Sequence, residues 1–412
     1  MGMDMRTRKT VVKEAAKRYR RARKKDKGRL LDEFVALTGY NRCYGARVLR
    51  GGERSRYQPT VRRCHRLGKR GRKRKYGPEV LGHLRKIWGI LDFACGKRMV
   101  ANMDEMICVL TRFKELDVSD EVRHLLLSIS ASTADRLLAG DRGHLELKGR
   151  SGTKPGSLLK HKIPICTFAD WDDADVGFLQ VDLVGHEGGN SRGDFCQSLS
   201  ATDVATGWTE IRGLRNKAQV WTFEALKDVR AHLPFPLLGI NSDTGGEFIN
   251  DHLFRYCKAE KITFTRCRAG RKNDNCYVEQ KNYTAVRQTV GYFRYDTDKE
   301  LDLLKRIYSI WRLYANFFLP QMKLVDKIRE GSKVRKRHDR PQTPYARILA
   351  SRQVSKTVKA RLRKQYATLN PAKLRRDMLK LQQSLHKLVA SKRRHQITSS
   401  KSEEKMAHVA TF

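Results

Sequence analysis

Three acidic residues occupy positions that a metal-dependent enzyme could use. Asp182 is in the middle of the apolar run 178–184, which has the length and composition of a β-strand. Asp243 follows a second apolar run, 237–242, and thirty-five residues separate it from Glu279. A carboxylate within a buried strand is costly unless it is paired or bound to a metal ion. The three acids are therefore candidates for a common site.

All three side chains offer oxygen ligands, which hard divalent cations prefer. Phosphodiester chemistry with two metal ions needs carboxylates that converge on ions about 3.5–4 Å apart, held by rigid elements. We predict that Asp182, Asp243 and Glu279 are catalytic residues and metal ligands. The expected cofactor is Mg²⁺, with Mn²⁺ as a substitute and two ions in the site. Each acid taken alone could instead be structural, but their order and spacing favour the site.

The segments around these acids predict an α/β domain over residues 177–296. Strands are predicted at 178–184, 195–202, 207–214, 237–242 and 262–265, and helices at 217–232, 247–260 and 274–291. The order is three strands in a meander, followed by alternating helices and strands. This is the order of a ribonuclease-H-like fold, a mixed five-stranded sheet with helices packed on it. Trp208 is expected in the core rather than as a platform for stacked bases.

The motifs of this domain resemble those of a known superfamily. They are Val181-Asp-Leu-Val184, Thr202-Asp-Val-Ala-Thr-Gly-Trp208, Asn241-Ser-Asp-Thr-Gly-Gly-Glu-Phe248 and Val278-Glu-Gln-Lys-Asn282. Over about 176–296 the chain resembles the DDE transposase and retroviral integrase superfamily, in particular bacterial insertion-sequence transposases with an integrase catalytic core. The resemblance implies that water cleaves the transposon end to free a 3′-OH, which then attacks target DNA without a covalent protein intermediate. It also implies double-stranded DNA as the partner and a homodimer or larger oligomer that holds two ends.

Further charged residues near the acids are secondary candidates. Arg271, Lys272, Lys281 and Arg287 flank the predicted site and could hold DNA phosphates, although surface solvation is an equal alternative for each. Glu247 could bind metal directly, but we expect it to shape the turn after Asp243.

The flanking regions are predicted to be helical. Residues 1–77 form a basic helix-turn-helix region, in which Gly39 ends one helix and Asn41 caps the next. The second helix would present Arg42, Arg47 and Arg50 to DNA, and an ordinary helical hairpin is the alternative. The remaining regions are a second helical unit at 78–145, a linker at 146–176 and a basic helical region at 297–412 with a frayed tail from 392.

The distribution of charge supports a polyanionic partner. The net charge is +42, of which residues 1–78 carry +21 and residues 296–412 carry +19, while 79–177 carry −1 and 178–295 carry +3. Basic ends around a balanced middle suit nucleic acid, because each neutralised phosphate releases counterions. The sequence has no apolar stretch of membrane-spanning length, no secretory signal and no paired cysteine motif, so we expect a cytoplasmic location and no membrane contact.

Two other functions are compatible with these features. One is a catalytically inactive or domesticated sequence-specific DNA-binding protein that retains the acids. The other is a structure-specific nuclease or RNase H enzyme on the same scaffold. The predicted helix-turn-helix and the long basic C-terminal region favour a transposase over the nuclease.

Overall fold

The computed structural model describes residues 5–50, 75–142 and 175–409, apart from 244, 246, 249, 268–275 and 331–332. The chain divides into two compact units, Met1–Lys73 and Arg74–Phe412. The predicted linker at 146–176 and the basic run at 70–75 lie almost entirely outside the described residues. No helix in the described ranges is long and apolar enough to cross a membrane.

The described part of the first unit, residues 5–50, contains three helices: α1 (Met5–Arg21), α2 (Lys24–Thr38) and α3 (Arg42–Leu49). Both predicted signals between α2 and α3 are confirmed. Gly39 ends α2 with a left-handed backbone (φ 68°), which glycine adopts without steric cost, and the Asn41 side chain accepts a hydrogen bond from the Cys43 amide. Leu31, Phe34 and Leu49 form the centre of a small core with α1.

The second unit begins with short helices on an apolar core. These are α4 (Pro78–Ile90), α5 (Gly96–Ala101), α6 (Met103–Arg112), α7 (Asp120–Leu127), α8 (Ala131–Leu137) and α9 (Ala139–Arg142). The Ser130 side chain caps α8 by accepting a hydrogen bond from the Thr133 amide. The buried side chains of these helices belong to the same hydrophobic core as those of the sheet and the C-terminal helices. Residues assigned to three regions by sequence therefore pack around one core.

A mixed five-stranded sheet lies at the centre of this unit, as the sequence predicts. Its strands are β1 (Phe178–Gly185), β2 (Gln197–Asp203), β3 (Thr209–Leu214), β4 (Gly239–Ser242) and β5 (Thr263–Arg266), in the spatial order β3-β2-β1-β4-β5. β1, β2 and β3 are antiparallel, whereas β4 and β5 run parallel to β1. Trp208 is buried, as expected for a core residue.

Helices cover the sheet. α10 (Gln219–His232) packs on β3, α11 (Asp251–Ala259) on β5, and α12 (Cys276–Lys281) on β1 and β2. The single helix predicted at 274–291 is instead divided: a π-helical turn at Asn282–Arg287 separates α12 from α13 (Gln288–Val290). Such π turns change the direction of the following side chains and are frequent at functional sites.

The C-terminal region is not entirely helical, so that prediction is corrected. The helices are α14 (Asp298–Phe318), α15 (Pro344–Ala350), α16 (Lys356–Thr368) and α17 (Pro371–Val409). Between α14 and α15 lies an antiparallel hairpin of β6 (Leu324–Glu330) and β7 (Lys333–His338). Its β-branched residues on either side of a Gly-Ser pair favour strands over a helix. The tail predicted to fray from 392 continues as helix to Val409, in a segment rich in helix-forming residues.

Candidate active site

Asp182 lies on β1, the central strand of the sheet. Its neighbours are fixed on both sides, because Asp182 pairs with Ser200 of β2 and the preceding Val181 pairs with Ser242 of β4. The Leu183 amide donates to Asp182 Oδ1 (2.8 Å), and Asn282 Nδ2 donates to Oδ2 (2.6 Å). Burial, reinforced by the charge of Asp243, raises the pKa of Asp182 to about 7, although both hydrogen bonds favour the charged form.

Asp243 follows β4 directly. Since Val181 and Ser242 are partners in parallel strands, Asp243, the first residue after β4, lies beside Asp182, which is still within β1. The Gly245 amide donates to Asp243 Oδ1 (3.0 Å), and burial raises the pKa of Asp243. The structure thus places two partly buried carboxylates side by side, where β4 ends next to the middle of β1.

Two further acids lie within electrostatic reach of this pair. The charge of Glu279, on α12, contributes to the raised pKa of Asp182. Burial, with a contribution from Asp243, also raises the pKa of Glu247. Glu279 is exposed, and no three His, Cys, Asp or Glu side chains in the described part of the chain form a complete metal-binding group. The three predicted acids therefore surround one edge of the sheet without closing on a common point.

Gln180 holds the helix of Glu279 against the sheet. Its side chain is fully buried, two residues before Asp182 on β1, and its Oε1 accepts hydrogen bonds from the Tyr277 amide (3.0 Å) and the Val278 amide (3.4 Å). The first amides of a helix have no partner within the helix, so a buried acceptor both satisfies them and sets the helix position. Val278, also fully buried, anchors α12 at the same point.

The sequence analysis did not single out Gln180 or Asn282. A signal was present for each: Gln180 and Asp182 share one face of a strand because side chains alternate, and Asn282 lies on the same side of a helix as Glu279, three residues later. Neither spacing identifies the partner across the fold.

The residues at this edge have the chemistry of a hard divalent cation site. Asp182 and Asp243 are like charges whose pKa values are both raised, so a cation would relieve the cost of ionising them together. Asn282 Oδ1 is a buried oxygen without a hydrogen-bond partner among the residues described. An all-oxygen donor set of this kind suits Mg²⁺ or Mn²⁺ rather than a soft metal.

The predicted DNA-contacting residues are in different situations. Arg42, Arg47 and Arg50 are all exposed on or after α3. Arg42 forms an ion pair with Asp32, and the Arg47 guanidinium is 5.0 Å from the centroid of the Tyr44 ring. Arg271 and Lys272 lie outside the described residues. Lys281 is half-buried on α12.

Arg287, a candidate contact for a DNA phosphate, is largely buried. Only 7 % of Arg287 is exposed, and its guanidinium donates to the Gly185 carbonyl (2.8 Å) and lies 4.8 Å from the centroid of the Tyr292 ring. The π-helical turn that ends at Arg287 directs this side chain into the fold. Arg287 therefore joins the segment after α12 to the end of β1.

The fold and this edge of the sheet define a mixed α/β protein with two coupled carboxylates on neighbouring parallel strands. The chain is 39 % identical over 345 residues to the uncharacterized protein y4rM of Sinorhizobium fredii, an alignment that covers 84 % of this chain and 96 % of that protein. The chain belongs to the same family as y4rM. No family model matches the chain.

Proposed function

We propose that this protein is a DNA transposase of the DDE integrase superfamily, with a ribonuclease-H-like catalytic core at 177–296. One observation carries the proposal. Asp182, within β1, and Asp243, directly after β4, occupy adjacent positions on neighbouring parallel strands, and the helix of Glu279 is docked against β1 through Gln180. The antiparallel β1–β2–β3 meander followed by parallel β4 and β5 is the strand arrangement expected of such a core.

Asp182, Asp243 and Glu279 are the residues that would hold Mg²⁺ or Mn²⁺. When bound, a pair of divalent ions would activate the attacking water or hydroxyl and neutralise charge on the leaving oxygen. Hydrogen bonds within the protein favour the ionised form that a metal ligand must have. Asn282 Nδ2 and the Leu183 amide donate to Asp182, which stabilises its charged form against burial. They also restrict the carboxylate to one orientation.

The helix of Glu279 supplies the third carboxylate. Its exposure leaves Glu279 accessible to DNA, whereas the buried Gln180 and Val278 keep the start of α12 on β1. A small displacement of α12 would bring Glu279 towards the other two acids. Such tightening on formation of the DNA complex is common for catalytic groups.

The basic ends of the chain would bind DNA. The exposed Arg42, Arg47 and Arg50 suit α3 to the role of recognition helix at the transposon end. The positive charge of the C-terminal region suits the DNA backbone. Synapsis of two ends requires a dimer or larger oligomer.

The test is an assay of strand cleavage and joining. Purified protein is incubated with Mg²⁺ or Mn²⁺, labelled DNA that contains the sequences flanking its own gene, and a target plasmid. We expect metal-dependent 3′-OH ends at fixed positions and their joining to the plasmid. Asp243→Asn should abolish both, whereas the matched control Asp251→Asn, at the exposed start of α11, should retain both.

Other outcomes favour the alternative functions. Cleavage without joining, or preferential cleavage of RNA–DNA hybrids or junctions, would replace the transposase with a nuclease. Tight binding of the flanking DNA without cleavage in either metal would indicate a domesticated DNA-binding protein.

A further inference from the structure

Four cationic side chains from separate parts of the chain surround the loop after α14. Arg98 of α5 donates through Nε to the Pro320 carbonyl, and Arg347 of α15 donates to the Gln321 carbonyl (3.1 Å). Lys323 Nζ donates to the Ala205 carbonyl (2.9 Å). These contacts bring two arginines and a lysine to one short segment.

The fourth cation is Lys281 of α12. The Lys323 Nζ lies 5.9 Å from the centroid of the Tyr277 ring, and Lys281 is one helical turn after Tyr277 on the same side of α12. Burial, followed by the charges of Arg98 and Arg347, lowers the pKa of Lys281 to about 7. Among the described residues, the charges of Arg98 and Arg347 therefore reach Lys281.

Three acids lie within electrostatic reach of this cluster. Asp339 forms an ion pair with Arg347 (2.6 Å) and accepts from the Lys323 amide (2.7 Å), and the charge of the buried Asp203 reaches Lys323. Burial raises the pKa of Asp203 to about 6. The charge of Asp92 also reaches Arg98, so among the described residues four cations face three acids, which leaves an excess of one positive charge. In addition, Arg347 Nε is a buried donor without a partner in the described ranges.

The position of the cluster relative to Glu279 limits what it could bind. Residues two apart on a helix point in nearly opposite directions, so Glu279 lies across α12 from Lys281 and Tyr277. An anion at the cluster would thus lie roughly a helix diameter, about 10 Å, from the third carboxylate. This separation suits a DNA phosphate near the reacting bond rather than the reacting phosphodiester itself.

We propose that Arg98, Lys281, Lys323 and Arg347 form a phosphate-binding pocket that holds a backbone phosphate of the bound DNA, an inference that rests on the proposed DNA-processing function. The pocket joins α5, α12 and the segment from β6 to α15. A DNA phosphate bound in the pocket would therefore contact all three of these elements, close to the part of the sheet that carries Asp182 and Asp243.

The experiment measures DNA binding without catalysis. Binding of a fluorescein-labelled DNA duplex is followed by anisotropy in EDTA over a range of salt concentrations. At about pH 6, below the pKa of about 7 for Lys281, Lys281→Gln should weaken binding and reduce the slope of log affinity against log salt by about 0.9, the value for one phosphate contact. Lys281→Arg should retain the wild-type slope. Lys258→Gln, an equal charge change at an exposed position of α11, is the matched control.

A second variant and a second probe complete the test. Lys323→Gln should reduce the slope as Lys281→Gln does, and it replaces that variant if Lys281→Gln does not fold. Inorganic phosphate is compared with chloride at equal ionic strength in thermal unfolding. One result would overturn the proposal that the pocket binds DNA and would favour free phosphate as its ligand. In that result, phosphate stabilises the wild type but not Lys281→Gln, and the salt dependence of DNA binding is the same for both proteins.

The outcomes separate the pocket from the function on which it rests. In one outcome the wild type binds DNA, and Lys281→Gln has the same DNA binding and the same response to phosphate as the control Lys258→Gln. This outcome refutes the pocket and leaves the proposed function standing. If the wild type binds no DNA, the proposed function fails, and the pocket for DNA fails with it.

Discussion

Replacement of Asp182 by asparagine tests whether the fold holds a carboxylate at an energetic cost. The substitution keeps the shape of the side chain and removes its charge. Burial, and then the charge of Asp243, raises the pKa of Asp182 from 3.8 to about 7. One pKa unit is worth about 1.4 kcal/mol, so this rise in pKa means that ionising Asp182 costs at most about 4 kcal/mol more in the folded protein than in the unfolded chain.

The sign of the effect follows from proton binding. Between pH 3.8 and about 7 the folded carboxyl keeps a proton that the unfolded chain releases. The free energy of unfolding therefore falls as the pH rises through this window and is constant above it. Asp182→Asn should be more stable than the metal-free wild type at about pH 8, by up to about 4 kcal/mol, and the advantage should shrink towards pH 5. An asparagine oxygen at position 182 can still accept from Asn282 Nδ2, so that hydrogen bond is retained.

The assay is thermal unfolding in EDTA from about pH 5 to pH 8. For a chain of this size the advantage at high pH corresponds to roughly 5 °C in Tm. Asp117→Asn, at an exposed position, is the control and should shift Tm little at any pH. Mg²⁺ should then stabilise the wild type and not Asp182→Asn. The reasoning is refuted if the variant is the less stable protein at pH 8, or if its advantage is the same at both ends of the range.

Three other substitutions test individual contacts of the site. Gln180→Leu removes the acceptor of two amides at the start of α12, so chemical denaturation should show a loss of about 1–3 kcal/mol; an unchanged midpoint would mean that the contact does not hold the helix. Asn282→Leu removes a hydrogen-bond donor from Asp182, so calorimetric titration at neutral pH should show roughly tenfold weaker Mg²⁺ binding, the usual effect of losing a group that supports a metal ligand. Unchanged Mg²⁺ affinity would show that Asn282 does not position Asp182 for metal binding. Arg287→Met removes the hydrogen bond to the Gly185 carbonyl, so the free energy of unfolding should fall by about 1–3 kcal/mol while the DNA affinity of the folded protein is unchanged. A loss of DNA affinity in anisotropy without a loss of stability would instead make Arg287 a DNA contact.

Several features of this protein follow from the sequence because they depend on neighbouring residues. Gly39 and Asn41 end and begin helices through bonds to residues within four positions, and their conformations are those predicted. The apolar runs and the turns between them predict the five strands, and the seven residues around Asp182 predict that a carboxylate lies within a strand. The region after 296 shows the limit of such reasoning. Its many lysines and arginines favour a helix, whereas its few β-branched residues favour strands, and the pairing of β6 with β7 decides between them.

Tertiary structure alone decides the surroundings of the acids. Asn282 meets Asp182 across 100 residues of sequence, Gln180 meets α12 across 97, and Arg287 meets the Gly185 carbonyl across 102. In each case the residue type is compatible with an exposed position, so its spacing along the chain carries no information about its partner. A polar side chain that is buried must find a hydrogen-bonding group nearby, and only the packing of α12 and its π-helical turn on the sheet determines which group that is.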